Sequence, residues 1–377
     1  MKILFTGGGT GGHLFPALAI AEEFIRNKPD AEILYIGNGD TIEAREVPAR
    51  GIAFKAVPSR WLQLGYEGRG FFWNMSEIFK ASKNMGAGLI KSRKIIKEFK
   101  PDIAIGSGGF VSFPVILAAE SLGVKCYIHE QNATPGRGNR IMAKKARKIF
   151  TGFPGTEDSL GYPEKTIYTG NPVRDEFRYL DKAECRTRLG IPEDDFVLFT
   201  VGGSTGAEIL NEIALEYARR INKKSGFTLI CGTGKNLFDE YREKAIAAGI
   251  ELGGNIRFES FISNIKDCIG AADLVICRAG AMTLAELLVA GKPSIIIPYP
   301  GSVGEHQYYN AKTVQDAGGA VLYEQKDADP EAICDKIEEL RLTEGKLDEM
   351  GKSSLKIAPV SVASRIYDEI MADYEKR

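Results

Sequence analysis

The chain has 377 residues, 44% apolar and 26% charged, enough for two ordinary domains with sizeable cores. It holds no run of roughly 18 apolar residues and opens on a strand rather than a basic, apolar leader, so the expectation is a soluble, cytoplasmic protein. A formal net charge of −1 conceals an asymmetry, with 23 Lys and Arg against 16 Asp and Glu in residues 1–168 and 26 against 34 in residues 169–377.

The basic excess concentrates in residues 60–150, 16 against 6, and predicts an anionic membrane surface, an anionic substrate or nucleic acid as partner. The six cysteines, Cys126, Cys185, Cys231, Cys268, Cys277 and Cys334, are scattered singly without metal-ligand spacing, which predicts buried or idle thiols and no metal site.

The first predicted strand, Lys2–Thr6, runs into Gly7-Gly8-Gly9-Thr10-Gly11-Gly12-His13 and then a predicted helix from Pro16 to Phe24. Glycines remove bulk and allow positive φ, so backbone N–H groups at a helix N-terminus can face an anion, with His13 placed where its proton matters. Gly7, Gly9 and Gly12 also satisfy GxGxxG, but the strand Ala31–Gly37 is followed by Asn38-Gly39-Asp40. The acidic residue that a dinucleotide site wants at that strand's end comes late.

Next comes the basic segment, with Phe71-Phe72-Trp73, Phe79-Lys80 and Lys83, and later Lys144 and Lys145. Aromatics flanked by cations fit a protein lying on an anionic membrane without spanning it, and a solvated basic face fits the composition as well. No RNA- or DNA-binding motif is present, so nucleic acid is disfavoured.

The strand Asp102–Ile105 leads into Ser107-Gly108-Gly109-Phe110, either a support for an acceptor phosphate or a turn that lets the next helix pack closely. Lys125–Ile128 precedes His129-Glu130-Gln131-Asn132. Polar residues at a parallel strand's carboxyl end predict a site rather than a buried cluster, with the Asn132 amide suited to a sugar hydroxyl. Lys148–Phe150 closes the first half, and Gly and Pro interrupt the pattern at Thr169-Gly170-Asn171-Pro172-Val173-Arg174.

Phe196–Val201 and Gly202-Gly203-Ser204-Thr205-Gly206-Ala207 then repeat the opening strand and loop, again offering N–H groups and the Ser204 hydroxyl to a phosphate. Strands follow at Thr228–Cys231, Ile256–Glu259, Leu274–Cys277 and Ser294–Pro298. Glu286 lies about one turn into the helix after Leu274–Cys277, either as acceptor for a ribose diol or as an acid favoured by the helix dipole. His306 falls in the last ligand-side loop, so all three histidines are expected outside the core.

Strands alternating with helices, and two similar openings a domain apart, predict an α/β protein of two Rossmann-like domains whose parallel sheets face a central cleft. The expected division is 1–168 and 169–359, with the final helix, 360–377, able to pack on either domain and assigned to the first.

As an ordered set, Gly8 to His13, Gly108 to Phe110, His129 to Asn132, Gly170 to Arg174, Gly202 to Ser204, Glu286 and Gln307 to Ala311 resemble the GT-B glycosyltransferases that add N-acetylglucosamine to lipid I. The resemblance spans nearly the whole chain, with Thr205 and His306 standing where the family usually carries Gln. It implies UDP-N-acetylglucosamine as donor, lipid I (undecaprenyl-pyrophosphoryl-muramyl-pentapeptide) as acceptor and lipid II as product, in peptidoglycan synthesis. It also implies a peripheral position on the cytoplasmic side of the cell membrane.

By the same resemblance Ile262 meets the uracil, Glu286 the ribose, and Ser204 the diphosphate with Arg174 nearby. Thr10, Gly11 and Gly12 close over the phosphates, and Asn132, Ala281 and Gln307 hold the sugar. Ala281, Met282, Thr283, Leu284, Ala285 and Glu286 line the donor pocket. Inverting transfer needs a base for the acceptor hydroxyl. His13, titrating near neutral pH, is the first candidate and Glu130 the second. Helix N-termini and Arg174 can meet the leaving diphosphate, so no tightly bound metal or other cofactor is expected. The rivals are another nucleotide-sugar transferase, a nucleotide-sugar epimerase and, from a different class, an NAD-dependent oxidoreductase.

Overall fold

A computed structural model describes residues 1–59, 71–203 and 205–376, and for residues 71–82 and Asp175 the backbone alone. The chain divides into two units, one of Met1–Val173 together with the segment from Val360, the other Arg174–Pro359.

The first unit holds seven strands: β1 (Lys2–Thr6), β2 (Glu32–Gly37), β3 (Ala53–Ala56), β4 (Ile103–Gly106), β5 (Lys125–Glu130), β6 (Lys148–Thr151) and β7 (Thr166–Tyr168). They form one parallel sheet in the order β3-β2-β1-β4-β5-β6-β7. The second unit holds β8 (Phe196–Val201), β9 (Phe227–Gly232), β10 (Ile256–Glu259), β11 (Leu274–Cys277), β12 (Ser294–Ile296) and β13 (Ala320–Leu322). Its parallel sheet runs β10-β9-β8-β11-β12-β13. Strand order reverses between β1 and β4 in one unit and between β8 and β11 in the other. Loops that leave such a switch point diverge and open a crevice at the strands' carboxyl ends.

The central strands read as unbroken apolar runs because both faces of each sheet are covered. In β1, Ile3 and Phe5 pack with Tyr35, Tyr127 and the helix Gly11–Asn27 on one face, while Leu4 packs with Ala104, Ile128 and Val115 on the other. The C-terminal helix, Val362–Glu375, belongs to the first of these layers and buries Ile366 and Ile370 completely. Each such side chain contributes roughly 1.5–3 kcal/mol. Tyr127 Oη donates to Asp373 Oδ2 at 2.8 Å, and Arg147 holds the same carboxylate through two bonds, at 3.1 and 2.8 Å. The Arg147 guanidinium is the main reason the Asp373 carboxyl titrates below its ordinary range.

One sequence expectation changes here. The first helix begins at Gly11, not Pro16, so Gly11, Gly12 and His13 form its first turn. Pro16 lies inside it, where its missing N–H leaves the Gly12 carbonyl without the usual donor. The first unit runs to Val173, with Gly170 N donating to Thr151 O (3.0 Å) and Asn171 Nδ2 to Gln131 O (3.0 Å).

Candidate active site

In the first unit, the loop after β1 is held by its neighbours rather than by its own side chains. Tyr35 Oη donates to Gly7 O at 2.7 Å from within the core. The buried Glu43 accepts from Gly9 N at 3.2 Å and from Asn38 N at 3.0 Å. Ser107, at the end of β4, donates from Oγ to His13 O at 2.6 Å. Gly109, at φ +80°, has no Cβ because one would overlap the Gly8 carbonyl oxygen. The Ser107-Gly108-Gly109 turn therefore has a packing reason for its glycines: it braces the first glycine loop.

This bracing fixes a helix N-terminus with Thr10 at its cap position and His13 in its first turn. Thr10 is exposed, and Gly11, Gly12 and His13 are half-buried. Aligned peptide dipoles and N–H groups make that end a favourable place for anionic oxygen. His13 Nδ1 lies 3.1 Å from Ser107 O and also meets the Gln131 carboxamide.

The polar cluster after Ile128 is more buried than its sequence suggests. His129 and Glu130 still belong to β5, and His129, Glu130 and Gln131 are all inaccessible, with only Asn132 half-buried. His129, expected in a ligand-facing loop, is thus a core residue. Its Nε2 bonds Gly170 O at 3.3 Å, and burial pushes its pKa down to about 4, so it stays neutral. Glu130 accepts four bonds, from Asn132 N (3.0 Å) and Nδ2 (3.3 Å), Gly136 N (2.9 Å) and Asn139 Nδ2 (2.8 Å). A carboxylate so engaged organises the loop that presents Asn132.

In the second unit, the loops after β8, β11 and β12 surround a cavity of about 680 Å³. Its wall includes Gly202, Gly203, Thr205, Arg278, Thr283 and Gln307. Gly206, at φ +85°, lies so close to Thr233 O that a Cβ would overlap it, which pins the loop at the start of the helix Glu208–Ile221. Ser204, the predicted phosphate ligand of this loop, lies outside the described residues. Arg278 donates to Ile297 O and Pro298 O, both at 3.0 Å, and to Gln325 Oε1 at 2.7 Å, tying together the chain after β11, β12 and β13. Gln307, in the helix His306–Asp316, accepts from Tyr299 N at 3.0 Å. His306 Nδ1 bonds Val303 O at 2.9 Å and serves that helix's start.

The stretch Ala281–Glu286 is the beginning of the helix Ala281–Val289. Thr283 faces the cavity, Met282 is half-buried, and Ala281, Leu284 and Ala285 are buried. Burial raises the Glu286 carboxyl to a pKa of about 7, against which Arg174 acts downward and Glu176 upward. Arg174 itself is exposed, pairs with Glu176 at 2.7 Å and lies over the Phe177 ring. Ile262 is buried, its side chain filling the space beside Gly232.

Of the basic surface, the side chains of Phe71, Phe72, Trp73, Phe79 and Lys80 lie outside the described residues. Lys83, Lys144 and Lys145 are exposed, Lys145 pairing with Glu120 at 2.7 Å. Exposed Met85 and Ile90 share the helix Phe71–Phe99 with Lys83, and exposed Ile141 lies on Arg137–Ala143, just before Lys144. Both helices contact Ser112–Glu120. Among the described residues no helix is long and apolar enough to cross a membrane, and no three His, Cys, Asp or Glu group around a metal position.

Glu43, Gln131 and Arg278 carry structural duties at these loops that sequence reasoning did not single out. Glu43 reads as an ordinary acid of a short surface helix, so only its burial reveals it. Gln131 was visible only as a neighbour of better candidates, and Arg278 only by its bonds to Ile297, Pro298 and Gln325.

Two parallel Rossmann-type sheets, each with a glycine loop at its switch point, make up the GT-B architecture. Residues 3–151 match the glycosyltransferase family 28 N-terminal domain and residues 197–366 the family 28 C-terminal domain, and the chain belongs to that family. It is 37% identical over 377 residues to an Acetivibrio thermocellus protein, covering all of this chain and 99% of the other. That relative is named UDP-N-acetylglucosamine–N-acetylmuramyl-(pentapeptide) pyrophosphoryl-undecaprenol N-acetylglucosamine transferase. Among solved structures it is similar to Acinetobacter baumannii MurG, with a TM-score of 0.74, 25% identity and coverage of 98% and 99%. A Neisseria meningitidis UDP-GlcNAc 2-epimerase bound to UDP-GlcNAc has a TM-score of 0.70 at 14% identity, with coverage of 99% and 100%, a likeness of fold alone.

Proposed function

We infer that this chain transfers N-acetylglucosamine from UDP-N-acetylglucosamine to the 4-hydroxyl of the muramyl sugar of lipid I, with inversion, forming lipid II. The observation that carries this reading is the full-length likeness, at 37% identity, to a relative named for that reaction. Fold does not decide it, since an epimerase shares the architecture.

The second unit's cavity is assigned the donor. The N-terminus of Glu208–Ile221 and Arg174 meet the diphosphate, Glu286 the ribose diol and Ile262 the uracil, with Ser204, Ala281 and Gln307 completing the set. In the first unit Thr10, Gly11 and Gly12 supply N–H groups to phosphate, and Asn132 a sugar contact. His13 Nε2 takes the proton of the acceptor hydroxyl as its oxygen bonds the anomeric carbon. The bond from that carbon to the diphosphate breaks, and UDP leaves with the electron pair. Charge on UDP is met by N–H groups and Arg174, so activity is expected to survive chelation. The exposed Lys83, Lys144 and Lys145 with Met85, Ile90 and Ile141 are assigned to peripheral contact with the anionic cytoplasmic leaflet that carries lipid I.

The test is transfer of labelled N-acetylglucosamine to a lipid I analogue beside a panel of other glycolipid acceptors, with UDP-N-acetylglucosamine and NAD compared by thermal shift. Transfer to another acceptor in preference to lipid I, or stabilisation by NAD alone, would overturn the reading.

A further inference from the structure

We propose that Gln131 is a positioning residue which, with the Ser107 carbonyl, holds the His13 proton on Nδ1 and so keeps the ring's lone pair on Nε2. The proposal rests on the reading of His13 as base, because it is Nε2 that then receives the acceptor's proton.

The Ser107 carbonyl oxygen lies 3.1 Å from His13 Nδ1 and can only accept a hydrogen bond. Nδ1 must therefore be the N–H of the neutral ring, and the lone pair belongs to Nε2. The Gln131 carboxamide is placed with Nε2 against the same Nδ1, while Gln131 Oε1 has no hydrogen-bond partner among the described residues. Two N–H groups cannot bond each other, and the two ends of an amide are assigned from their partners, so we assign the amide turned end for end, with Oε1 accepting from the ring N–H. The ring N–H is then shared between two acceptors.

Gln131 is placed for this duty from behind. It is 2% exposed, and its backbone carbonyl accepts from Asn171 Nδ2 at 3.0 Å. Asn171 in turn occupies the space that a side chain at position 152 would take, where the chain has Gly152. On the same side Gly108, at φ +92°, leaves room that a Cβ would fill, 3.0 Å from Nδ1. The imidazole is thus held on its Nδ1 side by two loops, those after β4 and β5.

The titratable residues His129, Glu130 and Glu43 around these loops direct their own hydrogen bonds elsewhere. His129 shares an electrostatic influence with His13, but it is buried and neutral, and its bond to Gly170 O places its own proton on Nε2. Glu130 directs its oxygens to Asn132, Gly136 and Asn139, and Glu43 to Gly9 and Asn38. The two inner histidines are accordingly opposite tautomers.

The chain has only three histidines, so ¹⁵N-histidine labelling of the whole protein gives a spectrum that His13→Ala assigns directly. Wild type should show His13 with Nδ1 protonated and His129 with Nε2 protonated. Gln131→Met, which keeps the volume, should lower kcat about tenfold, the worth of one orienting hydrogen bond, with the donor KM unchanged. Gln131→Glu, which sets a charge against the Nδ1 proton, should move the acid limb of the pH–rate profile by about one unit upward. A packing role alone would leave that limb in place.

Finding the His13 proton on Nε2 in wild type overturns the proposal whatever the variants do, so it stays open to refutation even if both fail to fold. An unmoved acid limb in folded Gln131→Glu also overturns it. An Nδ1-protonated His13 combined with full turnover in His13→Ala removes the base reading and leaves the tautomer assignment standing, which separates the two failures.

Discussion

Glu286, proposed above to receive the ribose diol, should couple donor binding to pH. Burial holds its carboxyl at a pKa of about 7 in the free protein, whereas a ribose diol donating two hydrogen bonds is best received by the ionised form. Binding should therefore release a proton. With a pKa of 7, the ionised fraction rises about tenfold between pH 6 and pH 8, so the dissociation constant for UDP-N-acetylglucosamine should fall about tenfold over that window. The intact sugar nucleotide is the right probe, because its diphosphate is capped and has no group of its own titrating there. Titration calorimetry in two buffers of different ionisation heat would read both the affinity and the released proton. In Glu286→Gln the affinity should be weaker than wild type at pH 8 and flat with pH. A wild-type constant that does not change from pH 6 to 8, or an equal slope in Glu286→Gln, would refute the assignment of Glu286 to the ribose. Folding has the opposite sign: a raised native pKa means stability greatest below the unfolded value and lost as pH rises through 7. Glu286→Gln should accordingly melt higher than wild type above pH 7 when no donor is present.

His13→Ala should lower turnover by about two to four orders of magnitude while donor affinity is kept, and calorimetry with single-turnover kinetics would separate the two. Gly206→Ala places a Cβ at φ +85° against Thr233 O and should cost more than about 1 kcal/mol in urea unfolding, whereas Gly226→Ala, at φ +84° in open space, should show the backbone strain without the overlap. Charge reversal at Lys80, Lys83, Lys144 and Lys145 should release the protein from vesicles containing anionic lipid, and equal co-sedimentation of variant and wild type would reject a membrane role for that surface.

The central strands were legible because both faces of each are buried, so β1, β8 and β11 read as uninterrupted apolar runs with glycine loops behind them. The strands that escaped, β3, β7 and β13, all lie at sheet edges. They are three or four residues long, and with one side unpaired a segment such as Ala53-Phe54-Lys55-Ala56 needs no apolar run. At the site, the glycine loops and His13 were visible because those residue types answer to local backbone geometry. Glu43, Gln131 and Arg278 were not, since each acts on a loop distant in sequence. His129 and Glu130 misled for a related reason: polar residues at a strand end look ligand-facing, and only the tertiary partners Gly170, Gly136 and Asn139 account for their burial.

The helix from Val362 lies more than 180 residues beyond the sheet it completes. A ribosome that has emitted Pro359 has already released everything the second unit needs, while the first still lacks the segment that covers Phe24 and satisfies Arg147. The N-terminal unit is therefore first to emerge and last to be finished. Its apolar layer of Ile3, Phe5 and Phe24 waits through the synthesis of a whole neighbouring domain before Ile366 and Ile370 complete it.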